Sequence, residues 1–136
     1  MTNHKNTRPL LIAMVLANFG IAQATDIVVV GHPSAAALTK DQVADIYTGK
    51  SQAAAPIDQP DSAAVRADFY KKVTGKDLPQ VKAIWSRLTF SGKGQPPKEV
   101  TDSAAVKKVI AADPKAIGYI EKSAVDASVK VLVSVE

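Results

Sequence analysis

Asp26-Ile27-Val28-Val29-Val30-Gly31 is the stretch that decides how this chain is read. Valine and isoleucine are stiff at χ1 and suit an extended backbone. The run has no polar alternation. A strand of that kind is expected to be buried on both faces, as in an α/β sheet with helices on either side. His32-Pro33-Ser34 ends it.

Upstream of this strand lies a different kind of segment. Lys5 and Arg8 are followed by an uncharged, mostly apolar run from Leu10 to Ile21, then Ala22-Gln23-Ala24. Positive region, short apolar region and A-x-A site together predict a secretory signal peptide over residues 1–24, cleaved after Ala24. The apolar run is too short for a membrane span. The chain has no cysteine, so neither a disulfide nor a lipid-anchor thiol is available. The product is expected to be a soluble periplasmic domain over residues 25–136, with no membrane anchor.

Of the 17 Lys and Arg, Lys5 and Arg8 fall in the leader, against 13 Asp and Glu that all follow it. The domain is thus close to neutral, with lysines spread along it. That argues against a nucleic-acid surface, which needs a basic stripe.

Downstream, helix signals alternate with short extended runs. Thr39 and Gln42 have capping-box spacing, and Val43, Ile46 and Tyr47 follow at helical intervals up to Gly49. Ala55-Pro56-Ile57-Asp58 reads as a weak edge strand. Val65, Phe69 and Val73 form a helical stripe stopped by Gly75. Asp77-Leu78-Pro79-Gln80 opens another helix, with Val81, Ile84, Trp85 and Leu88 inward. Residues 91–97 are a loop. Val106, Val109 and Ile110 mark a fourth helix, and residues 116–120 and 129–135 two more strands. The order β-α-(β)-α-α-α-β-β predicts an α/β fold: a single mixed-sheet domain with strands 27–30, 117–120 and 131–135 at its centre.

The letters DSAAV occur twice, at residues 61–65 and 102–106. Their surroundings do not match, so they are not an internal repeat. Asp and Ser are good N-caps and alanine is the best helix former. Each copy is expected to start a helix.

Taken together, Ile27-Val28-Val29-Val30, the stretch Leu38 to Gly49, Val65-Arg66-x-x-Phe69, the stretch Trp85 to Gly94 and Ala116-Ile117-Gly118-Tyr119-Ile120 resemble the periplasmic phosphate-binding proteins of ABC transporters. More closely, they resemble short, single-domain members of that family. The resemblance implies one lobe of a type II periplasmic binding protein. It also implies an oxyanion site at the helix that begins near Asp61. In the family a Ser-Gly-Thr tripeptide opens this helix, and an aspartate and often an arginine precede it. Matching Arg66 and Phe69 places Ala63-Ala64-Val65 under the tripeptide, Gln59 under the arginine and Asp61 under the aspartate. The backbone donors are kept and most side-chain ligands are not. The resemblance therefore implies weak binding of a small oxyanion such as phosphate by Asp61, Ser62, the N–H groups of Ala64 and Val65, and Arg66. An alternative reading is a lobe that has lost its solute and docks on an envelope or transporter protein.

Catalysis and cofactors find no support. His32 is the single histidine after the leader, too few for a transition-metal site, and no Gly-x-Ser-x-Gly elbow occurs. Gly92-Lys93-Gly94 lacks the rest of a P-loop. The chain is read as a binding protein without cofactor or metal, with its oligomeric state open.

Overall fold

The computed structural model describes residues 26–135; the expected leader lies outside them. Five strands form one sheet in the order β3-β2-β4-β1-β5. The strands are β1 (Ile27–Gly31), β2 (Ala55–Asp58), β3 (Lys98–Glu99), β4 (Ala116–Glu121) and β5 (Lys130–Val135). The helices are α1 (Lys40–Tyr47), α2 (Ala64–Thr74), α3 (Leu78–Phe90) and α4 (Ser103–Ala112). β1 runs antiparallel to both β4 and β5, while β2 is parallel to β3 and β4. The sheet is mixed, and the fold is α/β.

The unbroken apolar run of β1 has the expected cause. Ile27 and Val29 pack against α1, α2 and α3 on one face, and Val28 and Val30 against α4 on the other. With period 2 along each strand, Ile57 points to the α4 side and Asp58 to the side of α1–α3. That alternation puts a carboxylate beneath α2. β4 alternates likewise, with Tyr119 on the α1–α3 side and Ile120 facing α4. At Gly118 an added Cβ would lie 2.4 Å from Val106 Cγ1, so α4 rests directly on the strand backbone.

Four expectations are corrected. β2 is not an edge strand throughout. It pairs with β4 at Ala55 and Pro56, and with β3 at Ile57 and Asp58. Its outer side is bare only as far as Pro56, which is where a residue lacking an N–H is tolerated. β3 has only two residues, both exposed, and therefore no apolar signature. β5 is the outer strand, not a central one, and Val131 is 39% exposed. Ile84 and Val109 are half-buried, at the margins of their helices' inner faces, rather than inside.

Candidate functional site

β2 ends at Asp58, and the chain turns through Pro60 before α2 begins. The two DSAAV copies behave differently here. In the second, Asp102 is the N-cap, its carboxylate accepting from the Ala105 N–H at 2.8 Å. In the first, the helix starts later. Ala63 is the N-cap and offers no side-chain acceptor. The N–H groups of Ala64 and Val65 have no partner among the described residues. Asp61 is directed elsewhere, to Arg66 and Lys82.

Arg66 is the centre of the arrangement. Its side chain is only 10% exposed. Nη1 donates to the Gln59 carbonyl at 2.9 Å and lies 2.9 Å from Asp61 Oδ1 and 3.5 Å from Glu99 Oε2. Nε is 3.6 Å from Asp58 Oδ1 and makes no hydrogen bond. Burial works against the charge, but the fields of Asp58 and Asp61 outweigh it and raise the guanidinium pKa above its ordinary value. A cation in the first turn of a helix opposes the dipole; here three carboxylates hold it.

Asp58 is the best-satisfied of the three. It is buried, accepts from Tyr70 Oη at 2.7 Å and from Tyr119 Oη, and takes the Gln59 N–H at 2.9 Å. Tyr47 Oη donates to the Ile57 carbonyl at 2.8 Å. The rings are packed together, Phe69 stacked on Tyr119 at 4.1 Å and Tyr47 edge-on to Phe69 at 4.8 Å. Burial is the main cause that raises all three tyrosine pKa values, and the Asp58 charge adds to it. Asp61, by contrast, is exposed, and the hydrogen bond from Lys82 followed by the field of Arg66 lowers its pKa.

Beside this network lies a cleft of about 560 Å³ between α3, the 91–97 loop and the end of the sheet. Asp58, Arg66 and Glu99 form one wall; Trp85, Phe90 and Pro97 form the apolar one. Trp85 is fixed by its Nε1 donating to the Tyr47 carbonyl at 3.0 Å, whereas Phe90 is 95% exposed.

Of the residues expected at the site, Asp61 and Arg66 are in contact. Ser62 is exposed, the Val65 side chain is in the core, and neither these two nor Ala64 line the cleft. Gln59 is buried, its amide donating to the Tyr119 carbonyl at 2.9 Å, and so belongs to the core rather than the cleft. Asp58, Tyr70, Tyr119 and Glu99 were not foreseen. The i, i+4 spacing of Arg66 and Tyr70 on α2 was the signal available for Tyr70. His32 is half-buried and bonded to Ser34. Among the described residues no cluster of His, Cys, Asp and Glu is arranged to hold a metal.

The same arrangement of elements occurs in known structures. A protein from Clostridium perfringens, assigned as a phosphate ABC transporter substrate-binding protein and solved with bound phosphate, superposes with a TM-score of 0.64 at 24% identity. An ABC-type phosphate transport receptor from Vibrio cholerae gives 0.54 at 20%, and PstS from Borrelia burgdorferi 0.58 at 15%. The chain has the fold of a phosphate-transport substrate-binding protein. The likeness covers 79% of this chain but 44–46% of those proteins, so it spans less than half of their length. No protein-family model and no curated protein sequence matches the chain. In this substrate-binding-protein fold, what α2 presents at its start is a shielded arginine with a carboxylate already on it.

Proposed function

We propose that this chain is a periplasmic lobe of the phosphate-transport binding-protein type that takes a small oxyanion weakly at the start of α2. The supporting observation is the conjunction of Arg66 with the unpartnered N–H groups of Ala64 and Val65. A helix N-terminus offers oriented donors and a partial positive charge to an anion. Ser62 supplies a hydroxyl on the same turn. The ligand takes the Arg66 and Lys82 donors from Asp61, which acts as an internal stand-in for it.

That competition sets the strength. An exposed helix N-terminus contributes about 0.3–1 kcal/mol to holding an anion. A hydrogen bond to a charged group contributes about 1.5–3 kcal/mol. A millimolar dissociation constant corresponds to about 4 kcal/mol, so one helix end and one charged hydrogen bond reach that strength at most. Thermal unfolding with millimolar phosphate tests this, because a ligand of the native state alone raises stability. The melting temperature is expected to rise, with amide shifts at Ala64 and Val65. No shift at either amide rejects the proposal.

A second reading rests on a different observation. Asp58, Asp61 and Glu99 share one guanidinium, which leaves the site with more negative than positive charge to offer an anion. A lobe closed in this way serves as a docking module in the envelope, with Phe90 as its exposed apolar contact. It predicts no response to phosphate, and a periplasmic partner whose retention is lost on Phe90→Ser.

A further inference from the structure

A second cavity, of about 550 Å³, opens on the opposite side of α3 and shares no lining residue with the Arg66 cleft. Helical spacing explains the separation. Val81 and Trp85 face the first cleft; Ile84, Arg87 and Leu88 face the second. Lys50, Lys76, Arg87 and Lys93 line it, and no carboxylate does. Among the described residues none of the four makes a salt bridge.

The four cations come from separate elements. Lys50 follows the end of α1, Lys76 follows the end of α2, Arg87 lies in the last turn of α3 and Lys93 in the loop after it. Three helix C-termini thus meet at this rim. Each carries a partial negative charge equivalent to about half an elementary charge, which explains why cations gather here. Four full charges exceed that need. The walls are rigid where they meet. Gly49, at φ 81°, sits so close to α3 that an added Cβ would lie 2.4 Å from Leu88 Cδ1. The hydroxyls of Thr48 and Ser91 donate to the Ala44 and Leu88 carbonyls, so the donors left for a ligand are the cationic heads. The floor is apolar, made by Ile84 and Leu88.

We infer that this cavity is a ligand site for a small dianion carrying an apolar group, of the aryl or alkyl phosphate or dicarboxylate class. Several cations without an opposing carboxylate concentrate a multiply charged anion. An apolar floor of this size favours a ligand with a hydrocarbon body over a bare ion. The Arg66 cleft differs on both counts, since its cation is already held by carboxylates.

Phenyl phosphate is the probe, followed by amide shifts in two-dimensional NMR. Saturable shifts are expected at Gly49, Lys50, Ser91 and Lys93. Inorganic phosphate is expected to be weaker at those amides by about tenfold. Lys76→Gln combined with Arg87→Gln should weaken phenyl phosphate by about tenfold at an unchanged melting temperature. If that pair fails to fold, Lys50→Gln with Lys93→Gln, both exposed, is the replacement. The inference is overturned if phenyl phosphate shifts none of these amides, if inorganic phosphate binds there equally well, or if a folded double variant binds like the parent chain.

Discussion

Asp61 holds Arg66 from outside the cleft, its Oδ1 2.9 Å from Nη1, while Asp58 faces Nε of the same guanidinium from inside. An arginine that opens a helix is thereby held from both sides before any ligand arrives. The sequence DSAAV has this consequence only in its first copy. In the second, the same aspartate caps α4.

The two copies therefore respond differently to the same change. Asp102→Ala removes a side-chain cap and is expected to lower stability by about 1 kcal/mol. Hydrogen exchange at the Ala105 amide should accelerate with it. Asp61→Ala removes no cap and should leave exchange at Ala64 and Val65 unchanged. Acceleration at those two amides would show that Asp61 caps α2 after all.

Every tyrosine of the chain is buried, with its pKa raised by burial and by Asp58. A phenol whose folded pKa lies above its unfolded value near 10 contributes stability that is complete below about pH 10. That stability is lost as pH rises beyond, because the unfolded chain releases protons that the folded one keeps. Alkaline titration should show no tyrosinate absorbance in the folded protein. All three rings should then ionise together with the change in Trp85 fluorescence. A gradual, reversible titration around pH 10 with the fluorescence unchanged would contradict the buried cluster.

Gly118 is required by the approach of α4. In Gly118→Ala the new methyl would meet Val106 Cγ1 at 2.4 Å and Ile110 Cδ1 at 3.5 Å. Overpacking of this kind costs about 1–3 kcal/mol. Denaturant unfolding measures it, and Val106→Ala in the same chain should recover part of the loss.

Export is tested at the N-terminus. The protein recovered from the periplasm is expected to begin at Thr25. A recovered chain beginning at Met1 would reject cleavage after Ala24.

Much of the fold was legible because the apolar pattern is written in the sequence. Ile27 to Val30 announce a strand covered on both faces, and the capping boxes at Thr39–Gln42 and Asp77–Gln80 both form. β3 was not legible, since Lys98 and Glu99 owe their strand geometry to pairing with Ile57 and Asp58. The start of α2 was misplaced for a related reason. A local cap signal at Asp61 loses to the tertiary pull of Arg66 and Lys82, and no local rule contains that pull. Of the candidate site, the placing of Asp61 beside Arg66 is legible in the sequence, while Asp58 lies in a segment that reads only as a weak strand. Its role appears once period 2 turns it under α2, against Tyr70 and Tyr119.

In the proposed function a small oxyanion binds only by taking Arg66 and Lys82 from Asp61. Titration calorimetry with phosphate at low salt, on the parent chain and on Asp61→Asn, tests it most directly. Asparagine keeps the shape and removes the competing charge. Millimolar binding is expected of the parent chain and binding about tenfold tighter of the variant, a gain of about 1.4 kcal/mol. Weaker binding by Asp61→Asn would contradict it, making Asp61 a ligand rather than a competitor.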